Sequence, residues 1–284
     1  MPAIASGVHR DQSLFYWHLG DFRLGIPADQ DMAAGGGVHI WNYYRREWPD
    51  FIQNQLNPFA PTPVFLAIGN HELIAPKDRK DYLSTFLPWL NRDQIRTQRL
   101  ADDASDRRAH TYYHWHTMNV DFISLDNASR DQFSGAQVAW FERTLRLDAK
   151  DESVQAVVVG MHAALPDSLA SGHSMNDWDQ GTTSGRRVYA ELFEFHNSTK
   201  KPVYVLASHS HFVMEGIFHT PEMRQNHTEL PGWIVGTAGA HRYKLPADAE
   251  LAVQAKTNVY GYLNGTVHPD GRLTSSSMKS SNPM

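Results

Sequence analysis

Short apolar runs that stop at a tight turn recur along this chain, and polar side chains follow each stop. Val-Phe-Leu-Ala-Ile at 64–68 has the length and continuity of a buried strand. Gly69 then frees the backbone to turn sharply into Asn70-His71-Glu72. The run at 14–19 ends on Gly20-Asp21-Phe22-Arg23, the run at 154–160 on Met161-His162, and the run at 202–207 on Ser208-His209-Ser210-His211. A strand whose final turn carries acid/base or ligand side chains plants them on a rigid edge.

The segments between these runs predict the rest of the frame. Residues 24–38, with Pro27 and Gly35-Gly36-Gly37, read as loop. Residues 40–56 are rich in aromatics, and Pro49 is expected to split them into two short helices, sitting in the first turn of the second. This excursion either packs the core or covers the site. Because it joins two site-bearing strands, it is expected on the rim, as part of the substrate pocket. Residues 77–90 carry Tyr82, Leu83, Phe86, Leu87 and Leu90 at helical spacing. Residues 91–108 are charged, a solvated loop or ragged helix. Residues 111–118 and 120–125 read as strands paired around Asn119, and Ser134-Gly-Ala-Gln137 has the form of a capping box opening a helix. Residues 168–187 read as loop, 188–196 as an amphipathic helix, and 233–237 and 259–267 as late strands, the second closing on Pro269-Asp270-Gly271. Strands alternate with helices early and form meanders late, which predicts an α+β mixed-sheet sandwich with helices outside. One domain over residues 1–274 is expected, with an aromatic insertion around 24–56 and a flexible tail at 275–284.

Composition narrows the chemistry. The absence of cysteine excludes disulfides, thiolate metal sites and a cysteine nucleophile, and the 16 histidines become the candidate ligands. A formal net charge of −5 gives no nucleic-acid signal. No apolar run approaches membrane-spanning length, and the first ten residues lack the basic start and apolar core of a signal peptide. None of this assigns a compartment.

The strand ends together present Asp21, Asn70, His71, His162, His209 and His211. Spacing of two in His209-Ser210-His211 puts both imidazoles on one side if strand geometry persists. Such a mixed nitrogen and oxygen set suits Mn, Fe or Zn. A purely structural zinc site usually takes cysteines, and there are none.

The succession Gly20-Asp21, Gly69-Asn70-His71-Glu72, Val159-x-x-His162 and His209-x-His211 resembles the calcineurin-like metallophosphoesterases, which include the purple acid phosphatases. Gly236-Thr-Ala-Gly239 and Tyr260-Gly-Tyr262 are similar to the family's closing strands, and Asp126 with Gln137-x-x-Trp140 resembles the purple acid phosphatase branch. The resemblance implies a four-layer αββα sandwich and a metal-dependent hydrolase of small phosphate esters that uses a metal-bridging hydroxide. It implies two divalent or trivalent metal ions, with Asp21 bridging them. Asn70, His162 and His209 would complete one ion's ligands, and His211 would bind the other. His71 would stand beside the leaving oxygen as an acid, and Glu72 would support the ligands from behind. Arg23 is placed for a phosphate contact or a structural ion pair. Leu24 stands where the purple enzymes carry a tyrosine, so a tyrosinate–iron site is not expected, and Ser208 replaces a glycine.

The family's first strand, ending in Asp-x-His, has no counterpart among residues 1–13, where His9-Arg10-Asp11 is reversed. The expectation is therefore a missing first strand, one firmly held metal, poor solubility and little activity. A silent relative that binds a ligand or partner on the same scaffold is the alternative. His114 and His116 are expected as surface or core polar groups, and His173 and Trp178 lie in a loop where substrate contacts can arise.

Overall fold

Within residues 1–13 the chain folds as a helix, α1 (Pro2–Arg10), which buries Ile4, Ala5 and Val8. In the computed structural model, which describes residues 1–26, 29, 39–170 and 172–276, strand β1 (Tyr16–Leu19) follows. Most of the expected 24–38 loop and residues 277–284 of the expected tail lie outside the described residues. Helix α2 (Ile40–Phe51) runs straight through Pro49 and into a π-helical turn at Ile52–Leu56. The expected break at Pro49 is thus corrected: the helix continues into a wider turn beyond the proline, where loss of one N–H is tolerated.

Strand β2 (Val64–Ala67) precedes α3 (Arg79–Thr85), α4 (Leu87–Leu90) and α5 (Asp93–Asp102). The hairpin of β3 (Tyr113–Thr117) and β4 (Val120–Ser124) turns at Met118-Asn119, as its alternation predicts. Helix α6 (Gly135–Lys150) is capped by Ser134, whose hydroxyl accepts from the Gln137 amide at 3.3 Å. The Gln137 side chain does not complete a capping box. It bonds instead to the backbone of Asp126, accepting from its N–H and donating to its carbonyl at 2.7 Å each. After β5 (Ala156–Gly160), helix α7 (Asp179–Thr199) starts well inside the expected 168–187 loop. Its glycines explain the difference: a Cβ on Gly181 would lie 2.6 Å from the Asp131 carbonyl oxygen, and one on Gly185 2.4 Å from Pro166. Close packing overrides their poor helix propensity.

The chain closes with β6 (Val203–Ala207), β7 (Val213–Glu215), α8 (Pro221–Asn226), β8 (Gly232–Val235), β9 (Gln254–Lys256), β10 (Asn264–Val267) and β11 (Leu273–Ser276). A seven-stranded mixed sheet has the order β3-β4-β5-β6-β8-β7-β9, parallel from β4 through β8 and antiparallel at its flanks. The α+β sandwich expected from the sequence is present. Alternation divides its core in two. Val157 and Val159 of β5 face Leu145 and Leu192 of α6 and α7, whereas Ala156 and Val158 join Phe65, Trp115 and Phe122 on the opposite face.

β1 and β2 form a separate parallel pair, and β10 and β11 a separate hairpin. Between them lies a cavity of about 1630 Å³, lined by residues 14–19 on one side, Leu263–Val267 on the other and Phe122, Val158 and Tyr204 of the large sheet beneath. The Tyr16 amide donates to Pro63 at 2.8 Å, so by alternation the backbone groups of Trp17 turn toward this cavity. Among the described residues no strand pairs with that edge of β1. No helix among them is long and apolar enough to cross a membrane.

Candidate metal centre

Two interlocking glycine turns build the centre. Gly20 (φ +95°) and Asp21 (φ +55°) both take left-handed conformations, which reverses the chain directly after β1. A Cβ on Gly20 would lie 2.6 Å from the Gly69 nitrogen, and a Cβ on Gly69 would lie 2.3 Å from Asp21 Oδ1. Only glycine at both positions lets the ends of β1 and β2 approach this closely.

Glu72 ties the two turns together. Its carboxylate is buried and accepts from the amides of Asp21, Phe22 and Gly69, each at 2.8 Å. Burial, and then the neighbouring Asp21 charge, push its carboxyl up to about 7 against the opposing pull of those amides.

Asp21, Asn70, His162 and His209 converge on one point. His162 is buried, and its Nδ1 donates to the Leu19 carbonyl at 2.9 Å. That leaves Nε2 facing inward, 3.0 Å from Asn70 Oδ1 and 3.1 Å from Asp21 Oδ2. Burial alone lowers the pKa of His162, but the Asp21 carboxylate reverses this and holds the imidazolium up to about 9. In the same way burial works to raise Asp21, and the adjacent His162 outweighs it, holding the carboxyl well below the usual range. His209 Nδ1 is 3.9 Å from Asp21 Oδ2 and has no hydrogen-bond partner although it is buried from water. Burial, and next His162, lower its pKa to about 3.

These residues fit a metal ion. An orphaned imidazole nitrogen, a second nitrogen fixed in the right tautomer, an amide oxygen and a carboxylate oxygen meet at ligand spacing, a mixed donor set that suits Mn, Fe or Zn. The Leu19 carbonyl that orients His162 also accepts from Ser208 Oγ at 2.7 Å, so the serine in the expected glycine position supports the ligand geometry.

His211 stands apart from that group. Its Nδ1 bonds the His241 carbonyl at 2.7 Å, its ring stacks on Tyr243 at 4.1 Å, and burial lowers its pKa to about 4. It borders the large cavity together with Asp21, His71 and His162. His71 Nδ1 bonds the Leu24 carbonyl at 2.6 Å, which turns Nε2 to within 3.9 Å of Asp21 Oδ2. Arg23 is buried and ion-paired with Asp50, the structural use that its position also allowed.

The expected rim role of the excursion is met only at its end, where Asn54 and Gln55 line the cavity; no residue of α2 does, and Tyr43, Trp48 and Phe51 are buried, with Phe51 stacked on Phe22 at 4.5 Å. Trp178 is exposed, beneath the Arg130 guanidinium. His173 does reach the centre, 5.0 Å from the His209 ring and 4.5 Å from Tyr243. His241 and Tyr243 were missed from sequence. They follow β8 and Gly236 just as the other site residues follow their strands, and that repeat was the available signal.

The fold is that of a calcineurin-like phosphoesterase. A family model for calcineurin-like phosphoesterases matches residues 7–213, and the chain belongs to that family. Among solved structures it is similar to a purple acid phosphatase from yellow lupin (Lupinus luteus) seeds, at TM-score 0.60 and 15% identity, covering 98% of this chain and 48% of that one. The chain thus spans about half the length of that enzyme. A further likeness, at TM-score 0.49 and 9% identity over 99% of this chain and 82% of the other, is to GAP50, the anchor in the inner membrane complex of Plasmodium. No curated protein sequence matches the chain.

Proposed function

We propose that this chain hydrolyses phosphoric esters with metal ions held at the ends of β1, β2, β5 and β6. The observation that carries the reading is His71. It is partly exposed, is not needed to complete the Asp21–Asn70–His162–His209 set, and still aims Nε2 at the same point. Bound ions would supply Lewis acidity and an activated water. Asp21, Asn70, His162 and His209 would hold one ion, with Asp21 shared toward a second that otherwise rests on His211. His71, oriented by the Leu24 carbonyl, would give its Nε2 proton to the departing alkoxide when the ring is doubly protonated. The cavity beside His71 and His211 offers the ester its approach.

Protein reconstituted separately with Mn, Fe and Zn is to be assayed on an aryl phosphomonoester and a diester. His71→Ala is expected to lower kcat by about 10²–10⁴-fold, the usual contribution of a positioned acid, and Asp21→Ala to abolish turnover. Unchanged rates in either variant would refute the assignment.

A second reading, a silent relative that binds without hydrolysing, is favoured by one observation. His211 lies outside the Asp21–His162–His209 group, and among the described residues a second ion would rest on Asp21 and His211. Elemental analysis of the wild type against Asp21→Ala separates the readings: loss of two ions per chain supports the enzyme, and loss of one or none supports the binder.

A further inference from the structure

The outer edge of the large sheet carries another cluster of histidines and carboxylates. His114 and His116 alternate along β3 and share a face, and Asp121 lies opposite His116 in the β3–β4 register. Asp148 reaches in from α6 and Asp102 from the end of α5. Asp121 is near the start of β4, whereas His162 and His209 follow the ends of the parallel strands β5 and β6, so the two clusters belong to different parts of the sheet.

The cluster is strongly buried and short of positive charge. Asp121 is 0% and Asp148 2% exposed. Among the described residues, Asp102, Asp121 and Asp148 form ion pairs only with His114 and His116, and with no lysine or arginine. The nearby Lys201 ammonium is bonded to the carbonyls of Asp148 and Asp151, not to a carboxylate. His114 bridges two of the acids, with Nδ1 2.7 Å from Asp121 Oδ2 and Nε2 against Asp102.

Three polar atoms remain sealed from water without a hydrogen bond: His116 Nε2, Asp121 Oδ1 and Asp148 Oδ2. An unmade bond of this kind costs about 1–3 kcal/mol per group, so three together call for a partner. The spacing of these side chains suits an ion. His116 Nε2 is 3.5 Å from Asp121 Oδ1 and 3.8 Å from Oδ1, the other carboxylate oxygen, of Asp148. A tetrahedral zinc site with bonds of about 2.0–2.1 Å has ligand–ligand edges of roughly 3.3 Å.

We propose that His116, Asp121 and Asp148 form a separate site for one divalent transition-metal ion of the zinc type. His114 is a positioning residue that donates from Nδ1 to Asp121 and fixes the carboxylate, as hydrogen bonds behind a ligating carboxylate do. The ligand atoms of His116, Asp121 and Asp148 are sealed from bulk water, while the rest of the His116 ring is partly exposed.

The test uses Co(II) alone as the probe, titrated into the metal-stripped full chain and followed by visible absorption and calorimetry. His116→Gln is expected to bind one ion fewer per chain than the wild type and to keep the wild-type phosphatase rate, which separates this site from the centre at Asp21. His114→Ala is expected to retain that ion with affinity weakened about 10–100-fold. Because the comparison is a difference in stoichiometry, it stands whether the first centre holds one ion, two or none. If His116→Gln unfolds, Asp148→Asn provides the same comparison at the opposite side of the cluster. Equal stoichiometry in the wild type and the folded variant would overturn the proposal and leave the two carboxylates sharing a proton instead.

Discussion

Glu72→Ala is expected to destabilise the protein by about 3–9 kcal/mol. The carboxylate is the acceptor for the amides of Asp21, Phe22 and Gly69. Removing it leaves three donors unpaired where water has little access, at about 1–3 kcal/mol each. A typical domain has only about 5–15 kcal/mol in all, so the variant is close to unfolding at ordinary temperature. Glu72→Gln keeps the shape but turns one oxygen into an N–H donor facing an amide, and should cost about 1–3 kcal/mol. Urea unfolding of both variants checks this. The decisive feature is the order, with alanine worse than glutamine and both worse than the wild type. Equal stabilities would mean that the two glycine turns hold their approach without Glu72.

Metal affinity at the Asp21 centre is expected to rise about tenfold per pH unit between pH 7 and 9, then level off. In the metal-free protein His162 holds its proton up to about 9, and that proton lies on Nε2, between Asp21 and Asn70, where an ion would bind. An imidazole must lose its proton to become a ligand. His209 and His211, lowered to about 3 and about 4, are already neutral in this range and add no slope. Folding responds with the opposite sign. The folded-state pKa of His162 exceeds its unfolded value of about 6.5, so its contribution is full below that value and is lost as pH rises through about 9. The metal-free protein should therefore weaken toward alkaline pH while metal binding strengthens. Calorimetry at pH 7 in buffers of different ionisation enthalpy should report release of about one proton per ion, and denaturant unfolding should show the falling stability. No proton release would mean that His162 is neutral before the ion arrives.

The centre was legible because its rule is local. An apolar run, a glycine or serine, and a ligand residue all lie within a few positions, as at Ala67-Ile68-Gly69-Asn70. Glu72's grip on three amides was not legible, since two of them are about fifty residues away in the chain. The aromatic excursion joins two site-bearing strands, yet its spacing decides where its rings go. Tyr43, Glu47 and Phe51 recur every fourth residue, and that stripe is the buried face of α2. The first part of helix α7 is not legible in the sequence, because Gly181 and Gly185 look like loop residues until the surfaces they fit against are known. His114 and His116 showed only the alternation of a strand. The acids that make them a charged, sealed cluster come from α5, β4 and α6, and no local pattern links those segments.

The free edge of β1 gives the molecule a built-in reporter on the amide-exchange timescale. Tyr16, bonded to Pro63, and His18, facing β2 in the same phase, are protected by a parallel ladder. Trp17, between them, turns its amide into the cavity, where no described residue accepts it. Three consecutive residues of one rigid strand should therefore exchange as slow, fast, slow, with no local unfolding involved. An extended chain laid along that edge would slow the middle amide alone, so Trp17 reads out whether the cavity is filled while its neighbours serve as internal standards.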